Sequence, residues 1–428
     1  MDDTIQPYKI NIPQSSIDDL NERLRLARFP DELDGAGWDL GAPLADIKRL
    51  ATYWRDKYDW RESEKKLNDL PHFKTTITVD GFDPLSIHFL HQKSPVANAI
   101  PLLYIHGWPG SFLEGTKLLS SLTSPSTPTD PSFSVVIISL PNFGFSAAPT
   151  KRGFALNQYA EACHRLMLKL GYPQYATQGG DWGYYISRTM ALLFPSAVRA
   201  THINFDYGGG APSFAAHPLL ALEHSLRPYS EREKAGLERT KWFMEEGSGY
   251  RAISATKPQT LAYALADSPV GWLAWVYEKL VEWTDGYAWT DEEVCEWVSV
   301  HWFSEAGIAA TLRIYYESTH PSPKPSLSSP EPTTRTRTGE WIPDVPIGYS
   351  HQPRELRIVP STWYRKLGTI VFDRHNESGG HFWAWEKPES VVRDLRDMFR
   401  KPGPGQGDEK GEGIGGAFGV VEGRDGYA

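Results

Sequence analysis

Cysteine is nearly absent from this 428-residue sequence: Cys163 and Cys295 are the whole complement, and neither sits in a Cys-x-x-Cys or mixed His/Cys cluster. Two isolated thiols exclude a disulfide scaffold or a finger-type metal site, and they favour a reducing compartment. Long apolar runs are missing too. No stretch approaches the roughly 20 residues that span a bilayer as a helix. The first residues, Met1-Asp2-Asp3-Thr4-Ile5-Gln6-Pro7, offer neither a basic start nor an apolar core. The expectation is a cytoplasmic protein with no membrane anchor. Lys/Arg-rich runs are also lacking, and 44 basic against 53 acidic residues leave a net charge of −9. That balance argues against nucleic acid or an anionic membrane surface as the partner. No internal repeat is visible.

Aromatic residues, by contrast, are plentiful: 13% of the chain, with 16 tryptophans. Most belong in a core, but such a supply also furnishes an apolar, aromatic-lined pocket. Hydrophobic content of 40% and charged content of 23% fit a soluble globular chain. The stretch around which the rest is organised is Gln178-Gly179-Gly180-Asp181-Trp182-Gly183. A β-type run, 174–177, precedes it, and Ile186, Met190 and Leu193 follow at helical spacing until Pro195. This strand, tight turn and helix resemble a nucleophile elbow, Gly-x-Ser-x-Gly, with Asp181 in place of the serine. A carboxylate is already ionised near neutral pH and can attack an sp³ carbon without a base, leaving an ester that water must cleave. The alternative is an aspartate that only caps the following helix.

Along the chain, Tyr8, Ile10 and Ile12 alternate as an extended arm. Ser15 or Ser16 can cap a helix with Ile17, Leu20 and Leu24 on one face, and a second helix after Pro43 carries Ile47, Leu50, Ala51, Trp54 and Tyr58. These stripes are expected to bury against the sheet that follows. Residues 73–79 and 85–91 read as a hairpin around Asp80-Gly81. Residues 100–105, 133–140 and 198–205 are buried-type strands, and 157–170 is helical. Strand signal disappears over 206–320, where Ser268-Pro269 and Thr290-x-x-Glu293 open helices. It returns at 346–350 and 368–375. The sequence therefore predicts an α/β-hydrolase fold with a mostly parallel central sheet, a helical cap insertion and an N-terminal helical lobe. The expected divisions are an N-terminal lobe with the first hairpin (1–95), a first part of the core (96–205), a cap with a Pro/Ser/Thr-rich loop (206–340), a second part of the core (341–400) and a disordered tail (401–428).

Four further places converge on the chemistry of Asp181. His106-Gly107-Trp108-Pro109-Gly110 follows a strand, where this fold commonly supplies one N–H of an oxyanion hole; the residue after the nucleophile supplies the other. Those donors are Trp108 and Trp182. Gly379-Gly380-His381-Phe382 follows the last strand, so His381 is the candidate general base, in the chain order the fold requires. His375, at the strand end, is the competitor. A base needs a carboxylate to orient it. Glu355 is the candidate, with Asp373 and Glu377 nearer in sequence. No ligand cluster for a metal or cofactor is evident, and none is expected.

The His-Gly-Trp-Pro-Gly loop, the Gly-Gly-Asp-Trp-Gly elbow, the Gly-Gly-His-Phe segment and the amphipathic N-terminal lobe together resemble the microsomal-type epoxide hydrolases, including soluble fungal members, over about residues 5–398. The resemblance implies hydrolysis of a small-molecule epoxide, an ether-bond hydrolase reaction of epoxide metabolism and detoxification, with a vicinal diol as product. It implies Glu355 as the charge-relay acid, because Gln352-Pro353-Arg354-Glu355 matches the family's acid segment except for its leading aromatic. It implies Tyr250 and Tyr315 as cap proton donors, with Tyr316 as rival to the latter, and it is compatible with a homodimer. Two other readings compete: a haloalkane dehalogenase, which uses the same Asp and His on this fold, and a catalytically silent ligand-binding homologue.

Overall fold

The structure is a computed structural model and describes residues 4–125, 127–206, 210–321, 331–402 and 412–428. Among these, one sheet of nine strands runs β1-β2-β3-β5-β4-β6-β7-β8-β9. Strands β1 (Gln6–Pro7), β2 (His72–Ile77) and β3 (Leu85–Gln92) are antiparallel at one edge. From β4 (Ile100–Ile105) through β5 (Phe133–Ile138), β6 (Tyr175–Gly179), β7 (Val198–Ile203), β8 (Ile342–His351) and β9 (Gly368–His375) every pairing is parallel. Both β4 and β5 are buried along their whole length, which is why they read as continuous apolar runs rather than alternating ones. Parallel order sends the carboxyl ends of β4, β6, β7, β8 and β9 to one edge, where ligands of such sheets bind.

The N-terminal helices α1 (Gln14–Arg25), α2 (Leu44–Asp56) and α3 (Trp60–Leu67) correct two expectations. Neither Ser15 nor Ser16 caps α1: the N-cap is Pro13, whose fixed φ of −54° starts the helix without a side-chain hydrogen bond. The apolar stripes turn mainly to helices of the cap instead of the sheet. The Trp54 indole donates to Ser299 (2.9 Å), Trp60 lies against Phe303 (centroids 4.8 Å apart), and Arg23 pairs with Asp267. Apolar area is buried wherever a complementary face is offered. Here the cap helices 269–282 and 291–302 offer it, so the lobe and cap share one core.

Cap helices begin where their sequence signals say. Ser268 accepts from the Gly271 N–H ahead of Pro269–Glu282, and Thr290 and Glu293 form a reciprocal capping box on Asp291–Trp302. Of the Pro/Ser/Thr-rich loop, 322–330 lie outside the described residues, and Arg335–Thr338 forms a short helix capped by Thr334. The expected disordered tail is corrected over 412–428. Ala417 and Val421 are buried, Asp373 N–H donates to the Glu412 carbonyl (2.9 Å), and Ser132 N–H donates to the Gly426 carbonyl (2.8 Å). Gly413, Gly415, Gly419, Gly423 and Gly426 take positive φ, so glycine content here marks turns. Residues 403–411 lie outside the described residues.

Helix α4 (Trp182–Leu193) packs so closely on β4 that a Cβ at Gly183 would run into the Ile105 carbonyl, a backbone atom that cannot rotate away. Gly183→Ala is therefore expected to destabilise the protein by about 3 kcal/mol or to prevent folding. Denaturant unfolding of the purified variant measures this, and a change below about 0.5 kcal/mol would refute the packing argument.

Candidate active site

Asp181 sits on the turn between β6 and α4 with φ 49° and ψ −123°, a backbone conformation that L side chains rarely adopt. Strand, helix and the tight glycine contacts hold it there, and strain retained in this way is typical of functional sites. The turn presents the carboxylate at the carboxyl edge of the sheet. Its Oδ1 accepts from the Trp108 N–H at 2.8 Å, and the Trp182 N–H also bonds to the group. Both expected N–H donors thus meet at Asp181. The carboxyl pKa is nonetheless raised: burial outweighs the opposing pull of the His381 charge and the two N–H groups.

His381 comes from the loop after β9. Its Nε2 is 3.7 Å from Asp181 Oδ2, and its Nδ1 is 2.5 Å from Glu355 Oε1. Glu355, on the segment after β8, is 2% exposed and also accepts from the Leu356 N–H (2.7 Å). Burial pulls the His381 pKa down, but Glu355, Asp181 and Glu114 together push it up to about 9. This folded-state value exceeds the ordinary 6.5, so the interaction stabilises the fold fully below about pH 6.5 and is lost as pH rises through about 9. The His381 loop is held from the cap: its N–H donates to the Trp283 carbonyl (2.7 Å), and the Gly379 N–H to Asp285 (2.9 Å). Gly380 is required because a Cβ there would strike the Trp283 carbonyl.

The competitors lie elsewhere. His375 is exposed at the end of β9, stacked on His351, and Asp373 bonds to His351 instead of His381. Tyr316 faces outward against His320 and Arg152. Tyr315 and Tyr250 face the site. Tyr250 stacks on Trp108 (4.9 Å), and Tyr315 meets Trp108 and Trp182 edge-on (5.8 and 4.9 Å). The Tyr315 hydroxyl is buried and lies toward the Tyr250 and Trp182 side chains. Burial first, then Tyr250 and Asp181, raises its pKa well above the usual phenol value, so it keeps its proton. The glycine-bearing loop after β4 is also tied to the cap: Trp297 and His301 both bond the Pro109 carbonyl, at 2.8 and 2.9 Å.

Glu114 escaped the sequence reading. It is 9% exposed and lines a cavity of about 10 Å³ with Tyr104, Asp181, Asn204 and His381, the scale of one water molecule. Burial pushes its carboxyl up to about 8, against the pull of the His381 charge, and the Tyr104 hydroxyl donates to it at 3.3 Å. A lone acid in the apolar run Ser111-Phe112-Leu113-Glu114 was the available signal. Chemically, the arrangement joins a carboxylate held by two N–H donors, an imidazole backed by a second carboxylate, and two phenols on the opposite wall. A carboxylate so held can act as a nucleophile, and an imidazole so backed can act as a base.

Fold and site together define an enzyme of the α/β-hydrolase fold, and residues 100–203 match the alpha/beta hydrolase fold family. Residues 5–115 match the epoxide hydrolase N terminus. Epoxide hydrolase 1 of Oryctolagus cuniculus is 33% identical, the match covering 92% of this chain and 88% of the relative. The structure of Aspergillus niger epoxide hydrolase superposes with a TM-score of 0.77 at 30% identity, over 92% of this chain and 95% of that one. Juvenile hormone epoxide hydrolase from the silkworm Bombyx mori gives 0.78 at 33% identity, over 92% and 93%. The chain belongs to the epoxide hydrolase family. No described helix is long and apolar enough to cross a membrane.

Proposed function

We propose that the protein hydrolyses an epoxide to a vicinal diol through an ester on Asp181. The observation that carries this reading is the meeting of Asp181, His381 and Glu355 at one sheet edge, beneath Tyr250 and Tyr315. Asp181 attacks a ring carbon, the C–O bond breaks, and a phenol proton passes to the departing alkoxide. That proton transfer suits groups that remain protonated at neutral pH. Ester formation removes the Asp181 charge, one of the interactions that raise the His381 pKa, so the imidazole is shifted toward its neutral, proton-accepting form once it is needed. His381, oriented by Glu355, then takes a proton from water. The resulting hydroxide attacks the ester carbonyl, the oxyanion is held by the Trp108 and Trp182 N–H groups, the diol leaves with an oxygen that began on Asp181, and the proton held by His381 returns to the phenolate left by ring opening. The cavity beside Glu114 suits that water.

A dehalogenase needs donors free for halide, and of the two candidate indoles, Trp108 and Trp182, that of Trp108 is engaged with Thr311 (3.2 Å).

The isotopic origin of the diol tests the mechanism. With enzyme in excess in oxygen-18 water, the first diol should be unlabelled and the label should appear in the Asp181 carboxylate; labelled diol would indicate direct attack by water. For the phenols, either Tyr250→Phe or Tyr315→Phe should lower kcat/KM by about tenfold and the double variant by about 10³-fold, with ester formation rather than its hydrolysis slowed. Stopped-flow measurement of the two steps separates these cases, and a selective slowing of hydrolysis would remove the tyrosines from ring opening.

A further inference from the structure

Beyond the hydrolytic site, the last two strands bring three ligand-type side chains onto one face. His351 on β8 is the register partner of His375 on β9, and Tyr349 is that of Asp373. Side chains two apart in a strand share a face, so His351, Asp373 and His375 project together. The His351 and His375 rings stack with centroids 4.2 Å apart, and His351 Nε2 lies 2.7 Å from Asp373 Oδ1. One donor atom from each of the three falls within 4.8 Å of the others. The trio is absent from local sequence spacing because His351 and Asp373 are 22 residues apart, joined only by strand pairing.

We infer that His351, Asp373 and His375 form a binding site for a borderline divalent transition metal such as Zn²⁺, bridging β8 and β9. Two imidazoles and one carboxylate are the donor set that suits such ions, whereas Ca²⁺ and Mg²⁺ prefer oxygen ligands throughout. Bonds of about 2.0–2.2 Å put donor atoms roughly 3–3.5 Å apart, so rotation of the exposed His375 ring completes the set. The outer shell is present. Tyr364 donates its hydroxyl to Asp373 Oδ2 at 2.7 Å, fixing the carboxylate with Oδ1 turned to His351, as the partners of metal ligands do. Tyr349 packs on the His351 ring at 3.8 Å. Exposure rises across the trio: His351 is 8% exposed, the Asp373 side chain 31%, and His375 is open to solvent. An ion can therefore enter from His375, and waters can fill its remaining positions. A bound ion would tie together the strands whose following segments carry Glu355 and His381.

Metal content provides the test, independent of turnover. The chelator-stripped full chain, dialysed against micromolar Zn²⁺, should take up one equivalent and unfold at a higher temperature. Co²⁺ in its place should give the visible absorption of a nitrogen- and oxygen-ligated ion. His375→Ala removes an exposed ligand, and Asp373→Asn keeps an acceptor for Tyr364. Each should weaken uptake by at least about 100-fold, the upper end of what loss of an outer partner alone does. A wild-type chain that takes up no metal overturns the site, as does uptake unchanged in both variants.

Discussion

Asp181→Asn should lower kcat for epoxide hydrolysis by on the order of 10⁴-fold or more, in the range of losses measured when a covalent nucleophile is removed. An amide oxygen lacks the charge that attacks a ring carbon. The side chain keeps nearly the same size, so the two tryptophan N–H donors and the strained turn are preserved. Folding should therefore be close to wild type, and lost activity will report chemistry. The same variant carries an electrostatic signature. Asp181 is among the groups that raise His381 to about 9, and its neutralisation should move that pKa downward, read by NMR titration of the imidazole. An unchanged His381 pKa with lost activity would separate the two groups electrostatically; full activity would end the proposal that Asp181 is the nucleophile.

His381→Gln should give the opposite kinetic picture. Ring opening needs Asp181 and the phenols, so the variant should still consume one equivalent of epoxide per site in a burst. Release should slow by about 10³-fold or more, within the range for loss of a positioned general base. Intact-mass and peptide analysis should then find an adduct of the epoxide's mass on the peptide carrying Asp181. Because Glu355 bonds Nδ1 at 2.5 Å, removal of the imidazole leaves a buried carboxylate without its partner, and the variant should also lose stability. Wild-type turnover paired with an unmodified Asp181 peptide in a folded His381→Gln chain would count against the two-step route.

How far the site could be read from residues alone differs from group to group. Asp181, Trp108 and Trp182 lie in short motifs where glycine, strand and helix signals are adjacent, so their meeting is a local matter. Position after a strand made Glu355 the choice over Asp373 and Glu377, which are nearer in sequence, and the family resemblance strengthened it. In the structure Asp373 is taken up by His351 and Tyr364, while Glu355 reaches His381. Tyr315 and Tyr316 are neighbours on one short helix. Which one faces the tryptophans depends on how that helix is rotated onto the core; the resemblance favoured Tyr315 and left Tyr316 as its rival. Glu114 gave little warning, because an acid in an apolar loop acquires meaning only when Tyr104, Asp181 and His381 surround it.

By itself the sequence determined the strand and helix types, the parallel order at the sheet's carboxyl edge and the elbow, because periodicity, glycine positions and capping pairs act within a few residues. Tertiary structure alone decided that the N-terminal helices clasp the cap, that residues 412–428 dock against the sheet, and that His351, Asp373 and His375 gather on one face. Burial is non-directional, so an apolar stripe states how much surface must be covered and leaves the covering partner open. That choice emerges only when all the faces compete in the folded chain.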